Sequence, residues 1–161
     1  MPMLVLKENK ALKLTNVLSQ SLLYSEDYNH NHMIEQIIER MKSFIRARGA
    51  GQIGPLIQYI NGGVNDEGRV VLETRIMLQC NTYIHNVKKP YSMESVIRVP
   101  NCMYCRYVGP KDKTKFAYDK IQLEAFEKEI PLKGSSYIVF VGNDELNDTV
   151  TTDVFMERAD G

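Results

Sequence analysis

The chain has 161 residues, 43% of them hydrophobic and 25% charged, a composition typical of a globular domain with a sizeable core. Lysine plus arginine and aspartate plus glutamate number 20 each, and this zero net charge argues against direct nucleic-acid binding, which usually needs a basic excess. No apolar run approaches the roughly 18 residues of a membrane helix. We therefore predict a single domain over residues 1–161, without a membrane segment.

The first predicted elements are a strand, a helix and two further strands. Residues 14–24 can form the first strand. Residues 33–48 carry apolar side chains at helical spacing, and glycines follow where the helix would end. Residues 56–60 and 70–79 alternate like strands on either side of a turn rich in asparagine and glycine.

The second half of the chain repeats this order. Residues 94–107 are rich in strand-forming side chains, although Pro100 must bend or bulge the strand. Residues 114–130 are predicted to form a helix, and residues 137–141 and 150–156 to form strands.

The repeated order indicates an internal duplication. Its two copies would span residues 14–80 and 94–158, with Leu56 corresponding to Tyr137. The predicted fold class is therefore α+β, built from duplicated βαββ halves.

The second predicted helix is apolar on two sides. One side carries Phe116, Leu123, Phe126 and Ile130, and the other carries Tyr118, Ile121 and Ala125. A helix of this kind usually has two contact partners. One interpretation, which we favour, is that it packs on the sheet and beneath a neighbouring loop. The other is that its second side makes a dimer contact.

Four short motifs in the second half resemble the gyrase-inhibitor-like small-molecule-binding family, which also supplies the effector-binding domain of several multidrug-responsive bacterial transcription activators. The motifs are Tyr107-Val108-Gly109-Pro110, Tyr137-Ile138-Val139-Phe140, Asn143-Asp144 and Thr152-Asp153-Val154-Phe155. The first half matches more loosely, through residues 54–59 and 73–76.

This resemblance implies one curved antiparallel sheet, with both helices on one face and a ligand groove on the other. In the family the groove binds aromatic, often cationic, molecules against aromatic rings and a carboxylate, a combination that suits such ligands because aromatic faces attract cations. The function implied is a stand-alone, cytoplasmic, non-enzymatic binding domain. A protein-interaction module is the alternative. A hydrolase is a more distant one, because relatives of that kind usually use a tryptophan, and this chain has none.

Strand alternation sorts the groove face from the helix face. In the strand over residues 70–79, the positions predicted to meet the helices are Val70, Leu72, Thr74, Ile76 and Leu78. The complete predicted ligand-binding set is Ile57, Tyr59, Glu73, Arg75, Met77, Tyr104, Ile138, Phe140, Asp153 and Phe155. Within it, Arg75 and Asp153 occupy equivalent positions of the two copies and are predicted to face each other, either as an exposed ion pair or as part of the site. In the family a carboxylate commonly occupies the position of Ile57 or that of Ile138, and this sequence has an isoleucine at both.

No metal, cofactor or catalytic residue is predicted. Cys102 and Cys105 would point to opposite faces of a strand, and His30 and His32 have only Glu26 and Asp27 as further ligands at a suitable spacing. The odd number of cysteines predicts reduced thiols, as in the cytoplasm. The expected partners are a small aromatic ligand or a protein, and the expected assembly is a monomer or a homodimer.

Overall fold

The computed structural model describes residues 2–22, 30–64, 66–68 and 70–160. The order strand, helix, strand, strand occurs twice along these residues. The elements are β1 (Met3–Leu22), α1 (His30–Ala47), β2 (Gln52–Val64), β3 (Val70–Cys80), β4 (Tyr91–Gly109), a 3₁₀ turn (Lys111–Lys113), α2 (Lys115–Glu127), β5 (Leu132–Asp144) and β6 (Thr149–Arg158). The α+β class is as predicted, and neither helix in the described ranges is long and apolar enough to cross a membrane.

The strands pair antiparallel in the order β1-β3-β2-β5-β6-β4, and β4 returns to β1, so the sheet closes into a barrel. The antiparallel pairing was predicted, but the closure was not. Closure depends on two very long strands, because β1 pairs with β4 from Met3 opposite Val108 to Gln20 opposite Tyr91 and then pairs with β3 through its last residues. The face predicted to be an open groove is therefore the barrel interior.

Local irregularities bend these long strands. The register between β1 and β4 shifts between Lys10 opposite Cys102 and Leu12 opposite Val99, which confirms the bulge predicted at Pro100. On β1, Asn16 adopts a left-handed conformation with φ of 48°.

The conformation of Asn16 changes which face of the sheet the following side chains occupy. As a result, Leu14 and Val17 both point into the barrel, and Leu18 packs on the helix side.

Three hydrophobic clusters stabilise the fold. The barrel interior holds Leu12, Leu14, Val17, Ile57, Met77, Val99, Cys102, Tyr104, Tyr137 and Phe155. Outside the barrel, α1 buries Ile37, Met41 and Ile45 against the sheet, each worth about 1.5–3 kcal/mol of transfer free energy.

The third cluster lies beneath α2. This helix packs through Ala117, Ile121 and Ala125, whose small or branched side chains allow it to lie close to Met103 and Val154. Both helices therefore lie outside the barrel.

Candidate functional site

Alternation correctly predicts the faces of β3 and β6. Met77 and Phe155 lie in the barrel interior, whereas Ile76 and Leu78 pack beneath α1 and Val154 packs beneath α2. The prediction fails for Leu72, which is exposed near the end of β3 instead of meeting a helix. The side chain of Val70 lies outside the described part of the structure.

The predicted faces of β5 are wrong by one residue. In the observed pairing Ile57 lies opposite Val139, and Tyr59 lies opposite Tyr137. Tyr137 and Val139 therefore belong to the barrel interior. Because successive side chains on a strand point to opposite faces, Ile138 and Phe140 are on the outer face.

Phe140 contributes instead to an outer pocket of about 390 Å³ near the start of α2. The pocket is lined by Lys111, Thr114, Phe140, Gly142, Asn143, Val150 and Thr152. No pattern in the sequence indicates this pocket, because it depends on where the 3₁₀ turn places Lys111 relative to the hairpin of β5 and β6.

A pair of tyrosines on β2 and β5 lies against the barrel interior, where Tyr59 is partly buried and Tyr137 is buried. The rings of Tyr59 and Tyr137 have centroids 4.9 Å apart and an interplanar angle of 53°. The Arg75 guanidinium carbon lies 5.7 Å from the centroid of the Tyr59 ring. Arg75 Nη2 lies 2.6 Å from Glu73 Oε1. Together with Glu157, these four residues form what we call the tyrosine mouth.

The electrostatics of the tyrosine mouth keep both phenols protonated. Burial, followed by the nearby Tyr59, Glu157 and Glu94, raises the pKa of Tyr137 to about 12. Burial and the charge of Glu73 also raise the pKa of Tyr59, and Arg75 partly offsets them. Both hydroxyls are therefore neutral hydrogen-bond donors near neutral pH.

The carboxylate of Glu157 has partners of its own in this mouth. Glu157 Oε1 lies 3.1 Å from Lys133 Nζ, and Ser135 Oγ donates a 3.1 Å hydrogen bond to Glu157 Oε2. Glu157 was not predicted as a site residue, although it lies two residues after Phe155 and therefore on the same face of β6.

A second polar cluster is centred on Asp153. Tyr104 Oη donates a 2.9 Å hydrogen bond to Asp153 Oδ1, and Arg106 donates two more, from Nε at 2.8 Å and from Nη2 at 2.9 Å. The predicted pairing of Arg75 with Asp153 is therefore wrong. Arg75 pairs with Glu73, and Asp153 binds Tyr104 and Arg106. Arg106 could have been found from its spacing, because it lies two residues beyond Tyr104 on β4.

Aromatic contacts continue from this cluster into the interior. The rings of Tyr104 and Phe155 have centroids 4.9 Å apart, and Lys10 Nζ lies 4.7 Å from the centroid of Tyr104. Between the two polar clusters the interior is apolar, because Ile57 and Met77 are both fully buried there. Ile57 therefore serves as core, at the position where the resembling family usually has a carboxylate.

The cysteines face apart, as predicted. Cys102 lies in the barrel interior, whereas Cys105 packs beneath α2. Burial raises the pKa of the Cys102 thiol to about 11, and burial also raises that of Cys105, so both are protonated near neutral pH. The side chains of His30 and His32 lie outside the described part of the structure.

The Tyr-Val-Gly-Pro motif has a structural explanation. The Tyr107 hydroxyl donates a hydrogen bond to the carbonyl of Pro110 and passes close beneath Gly109. A Cβ at Gly109 would come within 2.9 Å of that hydroxyl oxygen. This part of the resemblance therefore reflects how the end of β4 turns toward α2.

No family model and no curated protein matches the sequence. Solved structures do match in fold. The EcmrR–DNA complex in EcmrR-RPo is similar with a TM-score of 0.65 at 12% identity over 98% of this chain, which spans only 57% of the EcmrR chain. SAV2435 bound to tetraphenylphosphonium has a TM-score of 0.54 at 9% identity, covering 94% of both chains. A hydrolase from Listeria innocua has a TM-score of 0.55 at 9% identity, covering 94% of this chain and 92% of the hydrolase. At these identities the comparison shows a shared fold.

Proposed function

We propose that this chain is a small-molecule-binding domain that takes aromatic ligands at the tyrosine mouth. The observation that carries the proposal is the contact between the partly buried Tyr59 ring and the buried Tyr137 ring, beside Glu73, Arg75 and Glu157. Tyr59 is the more accessible ring and offers the aromatic surface, and both hydroxyls are neutral donors, a combination that suits planar ligands.

The shared fold supports this proposal. SAV2435 has been solved with tetraphenylphosphonium, an aromatic cation, and EcmrR with DNA. For this chain we propose the ligand-binding role alone, in the cytoplasm, where its three buried free cysteines would stay reduced. We further propose that the two βαββ segments are pseudo-symmetric halves that meet where β2 pairs with β5, next to the two tyrosines.

Charge pairing in the interior limits how strongly the site would select cations. Besides Glu94, which lies near Tyr137, three carboxylates line the interior face, and each of these three has a basic neighbour: Glu73 has Arg75, Asp153 has Arg106 and Glu157 has Lys133. A cationic ligand must compete with those side chains. We therefore infer that stacking on the tyrosines contributes more to affinity than ion pairing, and that neutral aromatic ligands bind as well.

The same pairing favours binding over catalysis. A hydrolase that acts in this groove through an activating carboxylate needs that carboxylate free to activate water. The best-placed carboxylates, Glu73 and Asp153, are both held by arginines. We propose that the chain is not an enzyme. Turnover of a hydrolase substrate that is lost in Glu73→Gln or Asp153→Asn would contradict this.

The test is a titration of the purified chain with two fluorescent aromatic dyes, one a rhodamine-type cation and one neutral, followed by anisotropy and tyrosine quenching. Saturable binding of both dyes is expected. Tyr59→Ala removes one stacking surface and should weaken both by about fivefold to tenfold. Tyr83→Ala is the matched control, because Tyr83 is an exposed tyrosine between β3 and β4, outside the barrel.

Glu157→Gln separates the charge contribution from stacking. The cationic dye should lose a small part of its affinity and the neutral dye none, because Lys133 already neutralises most of the Glu157 charge. If neither dye binds, or if Tyr83→Ala weakens binding as much as Tyr59→Ala, the tyrosine mouth is not the ligand site.

A protein-interaction module is the second candidate function. It is favoured by one observation, the apolar outer side of α2, where Phe126 is 82% exposed.

A further inference from the structure

The outer side of α2 is an apolar stripe exposed to solvent. Phe116 is 38% exposed, Leu123 is 59% exposed and Phe126 is 82% exposed. Their spacing of seven and then three residues places them on one side of the helix, opposite Ala117, Ile121 and Ala125. Ile130, predicted on the same side, packs partly buried in the third cluster, whereas no loop among the described residues covers Leu123 or Phe126. Single exposed apolar residues are common, but three aligned on one short helix mark a contact surface.

The charges along α2 are arranged against its dipole. A helix is stabilised by acidic residues near its start and by basic residues near its end. Here the first turn contains no acidic residue and the last turn contains no basic residue. Exposed lysines flank the start, at Lys111, Lys113 and Lys115, with Asp112 among them. Exposed glutamates flank the end, at Glu127 and Glu129, with Lys128 between them ion-paired to Glu8 and Glu124. Within the described residues, none of the three lysines at the start and neither of the two glutamates at the end has an ion-pair partner.

We propose that α2 pairs antiparallel with α2 of a second copy of this chain. The unfavourable charge arrangement then becomes complementary, because the basic end of each helix meets the acidic end of the other. Placing Phe116 beside the Phe126 of the second copy brings Lys115 beside the second copy's Glu127 in the same register. The two helix dipoles also oppose each other in this arrangement, which is favourable.

The size of the surface sets the expected strength. The stripe from Phe116 to Phe126 is about 15 Å long, given a helix rise of 1.5 Å per residue. A standard stable interface buries about 800 Å² per partner, and one side of a 13-residue helix supplies only part of that area. We therefore expect a weak dimer that dissociates on dilution within the micromolar range and weakens in high salt.

The experiment is sedimentation velocity on the full chain across the micromolar range, at low and high salt. A concentration-dependent dimer is expected. Phe126→Glu should weaken it by at least about tenfold, because it puts a charge into the apolar contact. Leu146→Glu is the matched control, since Leu146 is 98% exposed in the turn between β5 and β6 and should leave the dimer unchanged.

A charge exchange tests the antiparallel register. Lys115→Glu or Glu127→Lys alone places like charges together and should weaken the dimer about threefold to tenfold, whereas the double variant should restore it. If Lys115 and Glu127 affect only the stability of their own helix, the result should differ. Each single change then improves the match to the helix dipole and should raise the thermal midpoint of the dilute monomer without changing the dimer. A chain that stays monomeric throughout overturns the proposal. A dimer that Phe126→Glu leaves intact, or that Leu146→Glu weakens as much as Phe126→Glu does, also overturns it. So does a failure of the double charge exchange to restore the dimer.

Discussion

Replacing Asp153 tests whether the second polar cluster is held mainly by a hydrogen bond or by an ion pair. The Asp153 side chain is 11% exposed, and it accepts hydrogen bonds from Tyr104 and Arg106. Asp153→Ala removes every acceptor, whereas Asp153→Asn keeps an oxygen that can accept from the Tyr104 hydroxyl. The two variants therefore differ mainly in whether Tyr104 keeps a partner.

The structure gives a magnitude for each variant. Tyr104 is buried, so leaving its hydroxyl without an acceptor should cost about 1–3 kcal/mol. Arg106 is 44% exposed, so water can solvate its guanidinium and the ion pair should contribute no more than about 1 kcal/mol. We expect Asp153→Ala to lower the free energy of unfolding by about 2–4 kcal/mol and Asp153→Asn by about 1 kcal/mol.

The assay is equilibrium urea unfolding of both variants followed by circular dichroism. A double-mutant cycle with Tyr104→Phe isolates the hydrogen bond. If the hydroxyl dominates, Tyr104→Phe in the Asp153→Ala background should recover about 1–2 kcal/mol, because no buried donor is left unpaired. The reasoning is refuted if Asp153→Asn costs as much as Asp153→Ala, or if Tyr104→Phe recovers nothing.

Two further predictions concern buried tyrosines. The pKa values of Tyr104, Tyr118 and Tyr137 are raised from an ordinary 10.0 to about 12 in the folded state, so the unfolded chain releases these protons first. Their contribution to stability is complete below pH 10 and is lost as the pH rises toward 12. The free energy of unfolding falls with rising pH in this range, because the folded state binds more protons than the unfolded state. Comparing tyrosinate absorbance of the native and urea-unfolded chain checks this, and nine tyrosines titrating together near pH 10 in the native chain would contradict it. The second concerns Tyr118→Phe, which should leave the free energy of unfolding unchanged or raise it by up to about 1 kcal/mol, because the buried Tyr118 hydroxyl has no hydrogen-bond partner among the described residues. A urea midpoint that falls clearly in Tyr118→Phe would show that this hydroxyl has a partner in solution.

Local patterns in the sequence predicted the elements better than their pairing. Period-two alternation assigned Met77 and Phe155 to the interior because β3 and β6 are regular at those residues. The bulge at Pro100 followed from the missing N–H of proline. The first strand was predicted too short, over residues 14–24, because the alternation of apolar residues with lysines before residue 14 was not interpreted as part of a strand that in fact spans Met3–Leu22.

Barrel closure could not be predicted in this way. It depends on β1 meeting β4, which brings together residues from 71 (Gln20 and Tyr91) to 105 (Met3 and Val108) positions apart in sequence, and nothing in the local periodicity of either strand encodes that contact. The polar partners Arg106 and Glu157 were missed for a related reason. Their spacing to Tyr104 and Phe155 places them on the same face as those residues, but their cross-strand partners become known only with the register.

The register between β2 and β5 decides what kind of site the barrel can hold. The faces predicted for β5 would put Ile138 and Phe140 inside, and Tyr59 would then be the one tyrosine of the mouth. The observed register puts Tyr137 inside, opposite Tyr59, and adds a second hydroxyl beside Glu157. Because a one-residue shift exchanges every side chain between the two faces, this single register determines whether the mouth has one tyrosine or two. The 9% identity with SAV2435 is too low to predict the register between β2 and β5. The ligand preference of this chain therefore depends on the register observed in its own structure.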